Sequence, residues 1–172
     1  KVISDNMSLK VIELGIGTGA TTIGILENVA AIPITAIDLN KQRLDRAKYR
    51  LRKYVNRVSF IESDALDYLM SVPDNSADCI YTAFTLHNLP LSSRVEIINR
   101  LYTVLKPSGV FIDADKHGIQ DSARNKELLS QQLLIIEENI QDKDLSRQWV
   151  EHYQKDAAID QTREDYYEYL EK

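Results

Sequence analysis

Residues 11–19, with the sequence VIELGIGTG, leave the chain few choices of fold. Val11 and Ile12 are β-branched residues that suit a buried strand, and glycines follow at positions 15, 17 and 19. The next residues, ATTIGIL, are typical of a helix. Glycine permits a sharp turn and a close approach of the backbone to a ligand, because it has no Cβ. The N–H groups that open the helix would then point at that ligand. The stretch therefore predicts a strand, a glycine turn and a helix, with a small polar ligand above the turn.

The same pattern repeats along the chain. Apolar runs at residues 9–13, 33–38, 58–61, 77–81 and 110–114 predict five strands, and the amphipathic segments between them predict helices. Asn40 is predicted to cap one helix, and Ser93 with Glu96 forms a capping box before another. A loop is expected from Thr82 to Leu91, and residues 106–109 are predicted to stop the following helix before the fifth strand. The alternation predicts an α/β fold with a mostly parallel sheet between helices.

The chain changes character after residue 115, where no further strand is predicted. We therefore expect a core of residues 1–115 and a helical annex of residues 116–172 within the same domain. The annex is acidic, since residues 121–172 hold 13 acidic and 7 basic residues. Its helical part at residues 119–156 is predicted to be a lid on the substrate side, because it follows the last strand of the core.

Composition and charge narrow the classes of partner. The net charge of −5 over 172 residues argues against a general binder of phosphate backbones, so no nucleic acid is expected. No apolar run is long enough to cross a bilayer, so no membrane association is expected. Cys79 is the single cysteine, which excludes an intramolecular disulfide and favours a reducing, cytoplasmic location. No spacing of Cys and His supports a metal site. A homo-oligomer is left open.

Two classes of ligand compete for the glycine turn. Residues 15–20, GIGTGA, also fit the dinucleotide fingerprint G-x-G-x-x-A, and Asp38 lies near the position that binds a ribose. Glu13 favours another ligand, because a carboxylate beside the turn would repel a pyrophosphate but suits an ammonium group. Asp64-Ala65 places a second carboxylate after the third strand. The glycine spacing alone leaves a nicotinamide cofactor and another adenosyl ligand open.

These motifs together resemble those of the class I S-adenosylmethionine-dependent methyltransferases. The resemblance covers residues 9–115 and rests on the order of ExGxGxG at 13–19, Asp38, Asp64-Ala65, PDNSAD at 73–78 and LKPSG at 105–109. It implies a Rossmann-like three-layer αβα fold with sheet order 3-2-1-4-5, and transfer of a methyl group from S-adenosylmethionine to a small-molecule acceptor. The family's sheet normally ends in a hairpin of strands six and seven, which the sequence after Ala114 does not show.

The resemblance also implies roles for individual residues. Glu13 and the turn residues would hold the methionine end of the cofactor, and Asp38 would accept hydrogen bonds from both ribose hydroxyls. Leu39 would lie against the adenine, whose amine Asp64 would bind. The full set of predicted cofactor residues is Glu13, Gly15, Gly17, Thr18, Gly19, Asp38, Leu39, Asp64, Ala65, Thr82, Ala83 and Phe84, the last three passing beneath the sulfonium.

His87 is the candidate catalytic residue, because it lies on the loop that leaves the fourth strand at the ligand edge of the sheet. It would remove a proton from the acceptor, or would only line the pocket. His117, beside Asp115, is a further candidate for substrate contact. Two other functions stay open at this point. One is an NAD(P)-dependent oxidoreductase, and the other is a module that binds S-adenosylmethionine without catalysis.

Overall fold

The computed structural model describes residues 9–29, 31–116 and 122–159. Its five-stranded sheet consists of β1 (Val11–Leu14), β2 (Ile34–Asp38), β3 (Val58–Glu62), β4 (Ala77–Ala83) and β5 (Leu105–Ala114). The strand order is β3-β2-β1-β4-β5, and all four strand pairs are parallel. The predicted fold class and strand order are therefore confirmed. Because the strands are parallel, their carboxyl ends lie at one edge of the sheet, which is where ligands bind in open α/β sheets.

Helices connect successive strands, as parallel pairing requires. They are α1 (Ala20–Asn28), α2 (Lys41–Arg50), α3 (Ala65–Ser71) and α4 (Leu91–Val104). Asn40 caps α2 by accepting a hydrogen bond from the Arg43 backbone N–H at 3.1 Å, as predicted. The bounds of α1 also agree with the prediction.

Three local predictions around β4, α4 and β5 are wrong. Thr82 and Ala83 belong to β4 rather than to the following loop, since they continue the ladder with β5. Pro90 precedes α4, so the predicted capping box of Ser93 and Glu96 lies inside the helix. Residues 106–109 form no separate loop but belong to β5, with a register shift between Ala77 and Cys79 of β4. The pattern of Ser93 and Glu96 is typical of a helix start, but Pro90 places the start of α4 earlier. Residues 106–109 are typical of a turn, but sheet pairing extends β5 over them.

The core lies on both faces of the central strands. All four residues of β1 are buried, as are three or more residues of β2 and β4. One face packs against α1 and α2 through a cluster that includes Leu26, Leu44, Ala47 and Leu51. Because β1 is buried on both faces of the sheet, its sequence is a continuous apolar run interrupted only by Glu13.

The chain divides into two compact units, Lys1–Asp115 and Lys116–Lys172. In the second unit the structure describes α5 (Ser122–Asn139) and α6 (Lys143–Ile159). Within that unit the Lys116 ammonium lies 3.6 Å from the centre of the Tyr153 ring, a cation–π contact. The Trp149 ring of α6 is 6.3 Å from the same tyrosine ring. None of the helices in the described ranges is long and apolar enough to span a membrane.

Candidate active site

The turn between β1 and α1 is built from glycines in the left-handed region of backbone space. Gly15, Gly17 and Gly19 have φ values of +73°, +57° and +76°. A Cβ on Gly15 would collide with the Thr85 side chain, so only glycine fits there. A Cβ on Gly17 would meet nothing within 4 Å, so the space above this residue is open. The turn is anchored from below, since the N–H groups of Gly15 and Ile16 donate to the Ile37 carbonyl at 2.8 and 3.0 Å.

Asp38, at the carboxyl end of β2, is the second anchor of the turn. Its Oδ2 accepts the Gly17 N–H at 2.8 Å and its Oδ1 accepts the Asn40 N–H at 2.8 Å. The residue is 8% exposed, so these contacts hold the carboxylate in one orientation. A carboxylate offers about four acceptor positions, and both oxygens therefore keep a lone pair for a ligand. Asp38 thus lies where a ribose was predicted.

Glu13 lies in the interior, in β1 itself. Its side chain accepts a hydrogen bond from the Thr22 hydroxyl at 2.7 Å, and the residue is 1% exposed. Burial raises the pKa of Glu13 from 4.5 to about 7, against the lowering effects of Thr22 and Tyr81, and the charge of Asp38 adds to the rise. Tyr81 is the cross-strand neighbour of Glu13 in β4. Its buried hydroxyl is close enough to favour the ionised carboxylate but lacks the geometry of a full hydrogen bond.

Asp64 caps α3, which was the structural alternative to its predicted role with adenine. Its Oδ1 accepts the N–H groups of Leu66 at 2.8 Å and Asp67 at 3.3 Å. Ala65 is the first residue of α3, so its N–H is among those that a helix leaves without an intrahelical partner. A capping role does not exclude ligand binding, because the second carboxylate oxygen accepts neither of these two bonds.

The end of β4 supplies one buried and one exposed predicted residue. The Thr82 side chain is 1% exposed, and its hydroxyl donates to the Leu14 carbonyl at 3.2 Å. It therefore ties β4 to β1 and does not face a ligand. Phe84 is 64% exposed and has a φ of +52°, which is unusual for an aromatic residue. Leu39, after β2, is 68% exposed and is available to a flat ligand ring.

His87 lies in a 3-10 turn, Leu86–Asn88, and is held by a carboxylate that sequence reasoning did not assign to it. Its Nδ1 contacts Asp115 Oδ1, and its backbone N–H donates to Asp115 Oδ2 at 2.9 Å. Arg94 donates to the His87 carbonyl at 2.9 Å and is itself 5% exposed. A carboxylate can only accept a hydrogen bond, so this contact assigns a proton to Nδ1 and fixes the orientation of the ring.

The structure thus brings together Glu13, Asp38 and the glycine turn on neighbouring strands, with Asp64 one strand further out. The pairing of His87 with Asp115 was missed, although both residues follow adjacent parallel strands. That topological signal would have sufficed to find it. His117 lies outside the described residues.

Comparisons with known proteins agree with this geometry. The profile of the family described as a methyltransferase domain matches residues 11–109. The carboxy-S-adenosyl-L-methionine synthase of Nautilia profundicola is 28% identical over 117 residues, which are 68% of this chain and 48% of that protein. The chloroplastic 2-methyl-6-phytyl-1,4-hydroquinone methyltransferase 1 of Oryza sativa subsp. japonica is 34% identical over 102 residues, 59% of this chain and 29% of that protein.

A solved S-adenosylmethionine-dependent methyltransferase from Mesorhizobium loti shares the fold, with a TM-score of 0.53 and 22% identity over 67% of this chain and 49% of that chain. The chain spans about half the length of the curated relatives that it matches first. The family profile nevertheless covers more than half of the chain, including the glycine turn and the carboxylates after β2 and β3. This protein therefore belongs to the methyltransferase-domain family.

Proposed function

We propose that this chain is the cofactor-binding core of an S-adenosylmethionine-dependent methyltransferase that acts on a small-molecule acceptor. The observation that carries the proposal is the buried Glu13 beneath an open glycine turn, with Asp38 at the end of the next strand. A carboxylate at the position of Glu13 would repel a pyrophosphate but attract a ligand with an ammonium group, while Asp38 would bind the ribose of either ligand. The oxidoreductase alternative is disfavoured for the same reason, and by the family match.

The residues present fit the cofactor in shape as well as in charge. The open space over Gly17 and its φ of +57° provide a cradle that any side chain would fill. The backbone N–H groups at the start of α1 face a cofactor carboxylate favourably. Exposed Leu39 offers an apolar surface to the adenine, and Ala65 leaves room beside it. Asp38 and Asp64 are already oriented by their backbone hydrogen bonds, so they need little reordering when a ligand binds.

Within this site the chain's own residues bind, orient and move a proton. S-adenosylmethionine supplies an activated methyl carbon when it is bound. Glu13 and the turn would hold its methionine part, Asp38 would hold its ribose and Asp64 its adenine, so that the acceptor meets an oriented cofactor. His87 would accept a proton from the acceptor at Nε2, while Asp115 stabilises the resulting imidazolium through Nδ1. Arg94 holds the turn that carries His87.

The helical annex is proposed as the substrate-side lid. The motive is its place in the chain directly after β5, at whose carboxyl end Asp115 lies. A variant without the annex should retain cofactor binding but lose or alter turnover. Unchanged turnover by that variant would refute the assignment.

The central test is calorimetry of the full chain with S-adenosylhomocysteine and, separately, with NAD. We expect micromolar binding of S-adenosylhomocysteine and none of NAD; the reverse result would overturn the proposal. Acceptors can then be screened by release of S-adenosylhomocysteine. Mass spectrometry of the cofactor itself separates methyl transfer from modification of the cofactor, which the name of the Nautilia relative describes. Binding without any transfer across the screen would favour the non-catalytic module.

A further inference from the structure

One part of the first unit is strongly basic although the chain as a whole is acidic. Residues 41–57, which cover α2 and the turns behind it, hold eight basic residues and one acidic residue, Asp45. Only Leu44 and Ala47 of α2 are buried, so the basic side chains lie on its outer surface. The expectation of no nucleic acid rests on the net charge of −5. That value is a sum over the whole chain, so it does not show the basic character of this segment. Local charge, rather than net charge, decides where an anion binds.

A cleft of about 710 Å³ opens on this surface beside the glycine turn. We call it the arginine cleft, and its lining residues are Thr18, Asp45, Arg46, Tyr49, Arg50 and Arg52. Its volume is within the range of sites for small ligands, which is roughly 300–1,000 Å³. The three carboxylates of the candidate cofactor site do not line it. Thr18 is the one lining residue that also belongs to the predicted cofactor set, so the arginine cleft adjoins the candidate cofactor site.

Two of its arginines are held in place by hydrogen bonds that leave most of their donors unused. Arg50 donates through one nitrogen to the Thr18 hydroxyl at 3.1 Å, and Arg52 donates through one nitrogen to the Tyr49 carbonyl at 3.0 Å. A guanidinium has about five N–H donors in a planar fork, a geometry that matches a phosphate. Asp45, the one carboxylate among the lining residues, lies 3.6 Å from the ammonium of Lys48. The cleft thus presents oriented positive charge.

Tyr49 adds a surface for a flat ring. It is 72% exposed, and the Arg52 guanidinium lies 4.6 Å from the centre of its ring. Stacked aromatic and guanidinium groups beside positive charge are typical of surfaces that bind nucleobases and their phosphates together. A headgroup at a lipid surface would use the charge of this region but not the concave shape or the exposed ring.

We propose that the arginine cleft binds a nucleoside phosphate, either as a free nucleotide or as part of a single-stranded nucleic acid. Arg50 and Arg52, which are already oriented, bind the phosphate together with Arg46, and Tyr49 stacks on the base. The site lies outside the proposed methyltransferase function and does not depend on it.

The test is calorimetric titration of the full chain with UDP, uridine, inorganic pyrophosphate and a short oligouridylate. A pyrimidine avoids competition at a site for an adenosyl ligand, and each titration is repeated with S-adenosylhomocysteine present. UDP should bind more tightly than inorganic pyrophosphate by about tenfold, because only UDP can also stack on Tyr49. Tighter binding of oligouridylate, with a steeper salt dependence, identifies a nucleic-acid strand as the source; equal binding identifies the free nucleotide.

Variants with matched charge separate the cleft from the general basicity of α2. The double variant Arg46→Gln/Arg52→Gln should weaken UDP binding by about tenfold or more. The control variant Lys41→Gln/Arg43→Gln removes the same charge from exposed positions of α2 outside the cleft, and it should change UDP binding by less than about threefold. Tyr49→Ala should abolish the preference for UDP over inorganic pyrophosphate. Absence of UDP binding, an equal loss in both double variants, or binding to anionic vesicles but not to UDP would overturn the proposal, whatever the result with S-adenosylhomocysteine.

Discussion

The Glu13→Gln variant should be more stable than the wild-type protein above neutral pH but not below about pH 5. Glu13 is 1% exposed, and burial raises its pKa from 4.5 to about 7. The folded protein therefore keeps a proton on Glu13 that the unfolded chain has already lost. Stability from this residue is fully present below pH 4.5, falls as the pH rises towards 7, and stays low above that value. Glutamine resembles the protonated acid in shape and does not titrate.

The size of the effect follows from the separation of the two pKa values. Each unit between the unfolded value of 4.5 and the folded value of about 7 corresponds to about 1.4 kcal/mol, so the ionised carboxylate destabilises the fold by about 3 kcal/mol. This is a large fraction of the stability of a typical domain. Glutamine fills the same space as the acid, so the substitution introduces no cavity. The Thr22 hydroxyl can donate to the glutamine carbonyl as it does to the acid.

Urea unfolding followed by far-UV circular dichroism, at several pH values from about 4 to about 8, measures the difference. The free energy of unfolding of the variant minus that of the wild type should be near zero at the acidic end and reach about 3 kcal/mol at the alkaline end. Glu27→Gln, an exposed change in α1, is the control for the loss of one carboxylate and should change the free energy of unfolding by less than about 0.5 kcal/mol. A pH-independent difference for Glu13→Gln would refute the raised pKa.

The same residue links proton release to cofactor binding. A ligand ammonium near Glu13 favours its ionised form, so binding at neutral pH should release a proton and affinity should rise between about pH 6 and about pH 8. Calorimetry with S-adenosylhomocysteine in buffers of different ionisation enthalpy measures that proton. The Glu13→Gln variant should bind more weakly and release none. Equal proton release by both proteins would separate Glu13 from the ligand.

Three further predictions concern the anchors of the turn and the histidine. Asp38→Ala leaves two backbone N–H groups without acceptors and should lower the free energy of unfolding by about 2–4 kcal/mol and weaken S-adenosylhomocysteine binding; unchanged affinity would remove Asp38 from the site. Gly15→Ala adds a side-chain collision to a left-handed backbone and should lower the free energy of unfolding in urea by about 3 kcal/mol or more. Gly24→Ala, in open space on α1, is the control and should not destabilise the protein; similar losses in both variants would contradict the turn geometry. Asp115→Asn should shift the ring ¹⁵N resonances of His87 away from a single Nδ1–H tautomer; unaltered resonances would exclude the pair.

Much of the fold follows from the sequence because each strand and helix carries its own periodic signal. The glycine turn, α1 and the Asn40 cap depend on neighbours in the chain, and local patterns predict them. The end of β4 depends on pairing with β5, which no local pattern contains, so Thr82 was placed in a loop. Pro90 places the start of α4 at Leu91, ahead of Ser93, since proline is tolerated at a helix start and fixes the chain there.

The candidate site divides in the same way. The residue types after each strand identify the carboxylates, but not what each carboxylate contacts. Glu13 interacts with Thr22 of α1 and Tyr81 of β4. His87 contacts Asp115, which lies 28 residues further along the chain. Contacts of this kind are set by strand order, so they follow from the predicted topology rather than from any local pattern.

The three carboxylates of the site differ in what they contribute to the protein without a ligand. Asp38 anchors the glycine turn and Asp64 caps α3, so the fold alone would justify both residues. Glu13 is different, because its burial costs more than its hydrogen bond to Thr22 returns, as its raised pKa shows. A local feature that destabilises the fold without a structural benefit is typical of a functional site. Glu13 is therefore the carboxylate whose presence most directly indicates a cationic ligand. Replacing Glu13 by glutamine should weaken ligand binding but raise stability above neutral pH, whereas replacing Asp38 should lower both.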